Sequence, residues 1–414
     1  MRKIIAGASV VDMVIQRSLL AWAWNLLSRQ CIWRLISVML LAASLPVATA
    51  QAGEWQAWDS FRQRFIQSDA RVIEHEFDAR TTSEAQAYAM FFALVDNQPE
   101  LFAQLLNWTE RNLAGGDMSV RLPGWLWGQA KPRSASGSLT GWTLLDENSA
   151  SDADLWIAYT LIEAGRLWQV PRYQTLGLAL LSHVSRQEVL RLPDGFITLL
   201  PAQKGFQAGE QRWRINPSYF VPQQLSLFSR ADPSGPWQQL ETQLPQLLLS
   251  CCSSGYAPDW LIYHRSAGWQ PDKGGQLIGS YDAIRVYLWV GMMNAGHPGR
   301  QHLLEALHGM HNLLLVRGEP SERIDLISGQ ASGKAPPGFI ASVIPFLKAF
   351  DEKALLARSV QTLQSLESDG LYGRKPRYYD QVLALFGLGY LDKRYRFSRC
   401  GELLLAWSAA PSDC

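Results

Sequence analysis

The chain has 414 residues, of which 47% are apolar and 18% are charged, with 38 basic and 37 acidic side chains. This balance excludes an intrinsically disordered chain and suits one large globular domain or two smaller ones. The near-neutral charge also argues against nucleic acid or another polyanion as the partner.

The first fifty residues have the features of a secretory signal peptide. Basic residues precede an apolar run over residues 35–45, and a string of small residues follows at 48–50. The run is shorter than the ~20 residues that a membrane-spanning helix needs, so a cleaved leader is favoured over an anchor. Its removal would leave 33 basic against 36 acidic side chains. We therefore predict a periplasmic or secreted protein with one domain over residues 53–414 and no stable membrane insertion after cleavage.

Apolar residues that recur at three- and four-residue spacing predict a mostly helical domain. Strand signals are few, and the clearest cover residues 196–200 and 260–264, so an alternating β–α–β fold is disfavoured. Residues 130–141 and 328–337 are predicted to be surface loops. About twelve helices are predicted, beginning near Trp55, Ser83, Pro99, Ala153, Arg172, Pro217, Gly235, Tyr281, Arg300, Gly338, Glu352 and Pro376.

Four cysteines would remain after leader removal, and their spacing matches no zinc site. Cys251 and Cys252 are adjacent and rarely bridge each other without strain. The sequence leaves the pairing of the four cysteines open, and a bridge between Cys400 and Cys414 is one candidate. Fourteen tryptophans would also remain. Because indole faces stack on the C–H faces of sugars, this excess suits a carbohydrate binder, although core packing accounts for at least half of them.

Three predicted helices begin with the same design, a carboxyl group beside small or hydroxylic residues with aromatic residues close by. The first carries Glu84, the second Asp152 and Asp154, and the third Asp282. Hydrolysis of a glycosidic bond needs one carboxylic acid and a second carboxylate, so the three segments together suggest this chemistry. A helix N-terminus stabilises an ionised base, whereas the acid must be kept protonated by burial or by a neighbouring negative charge.

Each of these segments also has an ordinary structural interpretation. Thr81 and Glu84 stand in capping-box register, and either aspartate of the second segment can cap its helix. Asp282 and Arg285 are three residues apart and can form an intrahelical ion pair. The local patterns alone leave both interpretations open.

The stretch over residues 150–168 resembles the signature of glycoside hydrolase family 8. The likeness to the cellulose-associated branch of that family runs through nearly all of the chain after residue 50, including residues 121–128, 216–219, 280–287 and 396–398. The resemblance implies an (α/α)6 barrel, in which six inner and six outer helices surround a cleft, with a few short strands in the loops. It also implies an inverting endo-β-1,4-glucanase, or cellulase, that uses no metal or organic cofactor. A β-1,4-glucan (cellulose) chain is then the ligand, and the cellulose synthase complex is a candidate partner.

Carried over by position, Glu84 falls on the family's general acid, Asp282 on its general base and Asp152 on a third carboxyl near the reacting sugar. Similar enzymes have glycine where this chain has Ala85, and a methyl group is expected to be tolerated there on a regular helix. The resemblance also implies substrate contacts from Tyr281, Arg285, Tyr219 and Tyr379, and stacking platforms at Trp127 and, after it, Trp125.

Three alternatives stay open from the sequence. One is a non-catalytic glucan-binding protein that serves cellulose export, and another is the same fold acting on xylan, chitosan or mixed-linkage glucan. The third is a retaining enzyme or a lyase. Retention and inversion differ in the separation of the two carboxyls, because inverting pairs stand ~6.5–9.5 Å apart and retaining pairs ~5–5.5 Å apart.

Overall fold

Helices dominate the computed structural model, which describes residues 54–130, 141–251, 254–272, 277–408 and Cys414. The predicted signal peptide and residues 131–140 of the predicted first loop lie outside these residues. Thirteen α-helices are present in the described part of the chain: α1 (Gln56–Phe65), α2 (Ser83–Val95), α3 (Pro99–Leu113), α4 (Ser151–Leu167), α5 (Pro171–Gln187), α6 (Pro222–Ala231), α7 (Trp237–Cys251), α8 (Ala283–Gly291), α9 (Arg300–Ala306), α10 (His308–Arg317), α11 (Pro337–Ala349), α12 (Lys353–Leu366) and α13 (Tyr378–Leu391).

Two kinds of helix alternate along the chain. Helices α2, α4, α6, α8, α11 and α13 are buried over most of their length, whereas helices such as α3 and α5 bury one face. A helix buried all round belongs to an inner layer, and a one-sided apolar stripe marks an outer layer. The predicted (α/α)6 barrel is confirmed, with α9 and α10 together filling one outer position. These two are separate because the N–H of Gly309 bonds to Gly255 O instead of continuing the helix.

The inner helices pack around a core of aromatic rings. Consecutive inner helices contact one another from α2 through to α13, and Phe386 of α13 closes the ring. Its ring centroid lies 4.7 Å from that of Phe92 on α2, and 5.2 Å from those of Trp156 on α4 and Trp289 on α8. Four inner helices therefore meet at one buried side chain.

Several inner helices end in the same tight turn. Asn97, Gln169, Asp351 and Lys393 each stand two residues after the last residue of an inner helix, with φ between 54° and 61°. A left-handed residue at this position closes hydrogen bonds onto the last helical turn and stops the helix. After the first three of these turns the next helix begins within two residues, so inner and outer helices form antiparallel pairs.

Sixteen short strands lie in the connections outside the helices, and in the described residues all of them pair antiparallel. Their bounds are β1 (Thr81–Thr82), β2 (Leu126–Gln129), β3 (Trp142–Asp146), β4 (Val189–Arg191), β5 (Ile197–Leu199), β6 (Gln207–Ala208), β7 (Arg212–Ile215), β8 (Leu261–His264), β9 (Gly268–Pro271), β10 (Ile278–Gly279), β11 (Ser321–Asp325), β12 (Ala331–Lys334), β13 (Glu367–Ser368), β14 (Leu371–Tyr372), β15 (Tyr395–Phe397) and β16 (Leu403–Leu405).

Both predicted strands are confirmed, as β5 and β8. The loop predicted over residues 328–337 is wrong in part, because β12 lies within it and pairs with β11. The helix predicted near Pro217 begins at Pro222 instead. Residues before a proline avoid the helical region, and Val221 is extended, so only a short 3-10 turn (Pro217–Tyr219) forms upstream.

Cys400 and Cys414 form a disulfide, with their Cα atoms 6.2 Å apart. This separation lies within the range that a disulfide requires. Among the helices that the structure describes, none combines the length and apolar character needed to cross a bilayer.

We predict that Phe386→Ala lowers the free energy of unfolding by about 3–5 kcal/mol, because it removes a ring that four inner helices share. Urea denaturation monitored by circular dichroism measures this loss. Val316→Ala is the control, since Val316 is 86% exposed and should change the free energy by about 0.5 kcal/mol or less. Equal stability of the two variants would contradict the assignment of Phe386 to the centre of the barrel.

Candidate active site

A cavity of about 570 Å³ lies at the end of the barrel where inner helices begin. The first residues of α2, α4 and α13 line it, together with the residues that precede α8. Of the nine side chains predicted from the sequence, eight line this cavity: Glu84, Trp125, Asp152, Tyr219, Tyr281, Asp282, Arg285 and Tyr379.

The three predicted catalytic carboxyls occupy equivalent places on their helices. Glu84 and Asp152 are the second residues of α2 and α4, and Asp282 immediately precedes α8. Each helix N-terminus carries a partial positive charge that favours a carboxylate nearby. The shared design of the three segments therefore becomes one cluster because the barrel brings these helix starts together.

Glu84 does not cap its own helix. Thr82 is the N-cap residue, and its hydroxyl accepts a hydrogen bond of 3.1 Å from Ala85 N. The hydroxyl of Thr81 instead donates to Val72 O at 2.6 Å. The N-cap residue is therefore Thr82 and not Thr81, so the capping-box interpretation is wrong. The Glu84 side chain does not cap the helix and faces the cavity. Ala85 is buried inside the regular helix, as its methyl group requires.

Arg285 holds all three carboxyls. Its Nη1 donates to Glu84 Oε2 and to Asp152 Oδ2, the latter at 3.3 Å, and its Nη2 donates to Asp282 Oδ1 at 2.8 Å. The Arg285 side chain is 5% exposed. The intrahelical pair with Asp282 that the spacing suggested is confirmed, but it is one of three ion pairs that this buried guanidinium makes.

Asp152 carries a proton at neutral pH. Burial raises its pKa to about 8, the negative charge of Glu84 and a hydrogen bond with that carboxyl add to the rise, and Arg285 opposes it. From the sequence, burial or a like charge was expected to keep the general acid, Glu84, protonated. The structure provides both influences at Asp152, directly beside Glu84.

Three tyrosines build the wall around this cluster. Tyr379 donates to Tyr281 O at 2.6 Å, and the Tyr281 hydroxyl donates to Glu322 Oε1 at 2.9 Å. Tyr219 places its ring 5.6 Å from the Arg285 guanidinium, within the range of a cation–π contact. Tyr281 is 41% exposed, so its ring offers an apolar face to a ligand in the cavity.

Of the two predicted tryptophan platforms, Trp125 lines the cavity and Trp127 does not. The backbone of Trp125 bridges to the start of α2, since Ser83 N donates to Trp125 O at 3.0 Å. An irregularity in the pairing of β2 and β3 falls between Leu126 and Trp127, and Trp127 packs edge-on against Trp108 at 5.7 Å. The family resemblance, which placed Trp127 ahead of Trp125 as a platform, carries no information on this irregularity.

Half of the fourteen tryptophans after residue 53 are buried, as the core-packing interpretation required. The buried ones are Trp55, Trp58, Trp108, Trp156, Trp213, Trp237 and Trp289.

The sequence analysis missed several cavity residues, including Glu74, Phe77, Arg377 and Tyr378. Phe77 is 52% exposed, and its ring lies 4.1 Å from the Arg80 guanidinium. Tyr378 N donates to Glu76 at 2.8 Å, across 302 residues of sequence. In the sequence, a phenylalanine next to acidic residues, Phe77, is the only signal for this part of the cavity wall.

We predict that Asp152→Asn changes how stability depends on pH. Between pH 3.8 and about 8 the folded protein keeps a proton that the unfolded chain has released, so this group makes stability fall as pH rises. Asparagine does not titrate, so the stability of the variant relative to wild type should rise across this window, by at most about 1.4 kcal/mol per pH unit. Urea unfolding of both proteins at several pH values measures the difference, and parallel curves would contradict a protonated Asp152.

Comparison with known proteins identifies the family. The model of glycosyl hydrolases family 8 matches residues 29–393. An endoglucanase of Salmonella typhi is 43% identical over 377 residues, which cover 91% of this chain and 96% of that protein. An endoglucanase of Escherichia coli K12 is 42% identical over 374 residues, covering 90% and 96% respectively.

A solved structure agrees with these relatives. The endo-1,4-D-glucanase of Vibrio fischeri ES114 superposes with a TM-score of 0.77 at 36% identity, covering 86% of this chain and 99% of the other. The chain therefore matches these proteins along almost their whole length, in sequence and in fold. The protein belongs to glycosyl hydrolase family 8.

Proposed function

We propose that this protein is an endo-β-1,4-glucanase, a cellulase that hydrolyses internal β-1,4-glucosidic bonds of cellulose with inversion of configuration. The observation that carries the proposal is the contact of one buried arginine, Arg285, with the carboxyls of Glu84, Asp152 and Asp282 at a cavity. The relatives named endoglucanase support the substrate and the reaction.

Glu84 is the proposed general acid and Asp282 the proposed general base. In a single displacement, Glu84 gives its proton to the bridging oxygen while Asp282 takes a proton from a water that attacks the opposite face of the anomeric carbon. The two carboxylates contact different nitrogens of Arg285. The proposed acid and the proposed base are thus held by the two ends of one buried guanidinium.

Asp152 supplies the proton that the acid needs. Because Asp152 is protonated at neutral pH and hydrogen-bonded to Glu84, the pair holds one proton between two carboxyls. We propose that this proton moves to Glu84 as the sugar enters and water leaves. With Asp152 then ionised beneath the sugar, the site stabilises the positive charge that develops at the anomeric carbon.

Aromatic rings at the cavity wall bind the glucan chain in this proposal. Trp125, Tyr281 and Phe77 line the cavity, and flat rings can stack on the C–H faces of glucose. Such stacking tolerates movement along a chain of repeating units. It therefore suits an enzyme that binds internal segments of a polymer.

We predict that Glu84→Gln lowers kcat on carboxymethylcellulose about 10²- to 10⁴-fold, because the amide cannot donate the proton to the leaving oxygen. Release of reducing ends measures the rate. Glu100→Gln is the matched control, since Glu100 is also the second residue of its helix but is exposed, and it should retain wild-type activity.

The other outcomes of this comparison distinguish the proposed acid, the enzymatic activity and the substrate from their alternatives. Equal activity of wild type and Glu84→Gln would exclude Glu84 as the acid. No activity in either protein on carboxymethylcellulose, xylan, chitosan and mixed-linkage glucan would favour a non-catalytic glucan binder. Activity on one of those other polymers alone would keep the mechanism and change the substrate.

We also propose that the protein is exported and works beside the cellulose synthase complex. The basic, apolar and small-residue pattern of residues 1–50 supports export, and the resemblance to the cellulose-associated branch supports the partner. Mass spectrometry of the protein from a periplasmic fraction should find an N-terminus near residue 51. An intact leader on a cytoplasmic protein would contradict export.

A further inference from the structure

We propose that Asp259 is a positioning residue that holds the catalytic base, Asp282, in place through its backbone. The inference rests on the proposed function, because it assigns a role relative to that base. Asp259 is remote in sequence from α8 and is not among the residues that line the cavity.

A single carboxylate oxygen of Asp259 accepts three backbone N–H groups. Asp259 Oδ1 lies 2.7 Å from Ser280 N, 3.1 Å from Asp282 N and 2.8 Å from Ala283 N. Burial raises the pKa of Asp259 to about 6, and these amide donors oppose the rise. The carboxylate is therefore ionised at pH 7, and its bonds to the turn are charge-assisted.

These bonds replace the cap that Asp282 would otherwise provide. An aspartate at the N-cap position normally accepts N–H groups of the first helical turn with its own side chain. Asp282 is the N-cap residue of α8, yet its side chain makes no capping bond. Because Asp259 satisfies the backbone from outside the helix, the Asp282 carboxylate is left to contact Arg285 and to face the cavity.

Asp259 is itself rigidly held. Its own N–H donates to Ile278 O at 2.7 Å, and two residues earlier Ala257 N donates to the Tyr287 hydroxyl of α8 at 2.8 Å. The two segments also touch at Gly279, where an added Cβ would stand 2.6 Å from Ala257 O. Asp259 thus has a fixed position, and its hydrogen bonds set the position of the turn that carries Asp282.

Loss of the Asp259 hydrogen bonds should affect the chemical step more than substrate binding. A base that activates water must hold its geometry closely, and a shift of about 1 Å can cost 10²-fold in rate. Of the rings proposed to bind sugar, Trp125 and Phe77 lie outside the turn that Asp259 holds, whereas Tyr281 lies within it. We therefore expect kcat to fall by a larger factor than KM rises.

The test compares Asp259→Ala and Asp259→Asn with wild type on carboxymethylcellulose, with thermal unfolding measured for each protein. Asp259→Ala should lower kcat about 10- to 100-fold, with KM rising by a smaller factor, about 3-fold or less. Asp259→Asn keeps a neutral acceptor and should lower kcat by a smaller factor, about 3- to 10-fold.

Asp325→Ala is the matched control, because Asp325 Oδ1 also accepts two backbone N–H groups but in a surface turn away from the cavity. It should keep the wild-type kcat.

A wild-type kcat in Asp259→Asn, or in folded Asp259→Ala, would overturn the inference while leaving the proposed function intact. A fall in kcat that Asp325→Ala shares would also overturn it, since the effect would then be general destabilisation. If Asp259→Ala does not fold, the Asn variant alone decides the question. Failure of the proposed function would be distinct, because wild type would itself be inactive.

Discussion

The buried guanidinium of Arg285 is the interaction on which the site depends. A buried cation is costly unless it is paired and hydrogen-bonded, and this one is balanced by carboxyls from three different inner helices. The raised pKa of Asp152 lowers the negative charge that this one arginine has to balance. The helix N-termini temper that charge without removing it. A site of this kind is prepared for a transition state in which positive charge develops on the sugar.

The barrel and the site are parts of one arrangement. Tyr88 shows the link, because its hydroxyl lies 3.4 Å from Arg285 Nη1 while its ring packs edge-on against Phe386 at 5.1 Å. The aromatic core that joins the inner helices therefore extends to the guanidinium that binds the three carboxyls. Burial is the largest cause of the raised pKa of Asp152, and the charge of Glu84 adds to it. The same residues therefore contribute to the packing of the barrel core, to the burial of the site and to the protonation state of Asp152.

Much of this could be predicted from the sequence, because it is encoded locally. Helical spacing predicted most of the helix starts to within two residues. The shared design of three helix openings indicated Glu84, Asp282 and the pair Asp152 and Asp154, and the family resemblance selected Asp152 from that pair. What could not be predicted depends on contacts between distant segments. Asp259 meets the turn before α8 through backbone N–H groups, which leave no pattern in the sequence. That Trp125 and not Trp127 lines the cavity likewise depends on the pairing of β2 with β3, which is irregular between Leu126 and Trp127. The capping role of Thr82, rather than Thr81, likewise depends on the pairing of β1 with β2.

The stereochemistry of the first product tests the central claim most directly. If Glu84 and Asp282 act from opposite sides of the bond with water between them, hydrolysis of a β-1,4-linked cello-oligosaccharide must first release the α-anomer. Proton NMR during the earliest part of the reaction resolves the two anomers before mutarotation mixes them. Initial α-anomer is the result that we predict, and initial β-anomer would contradict the assignment of Asp282 as a base acting through water.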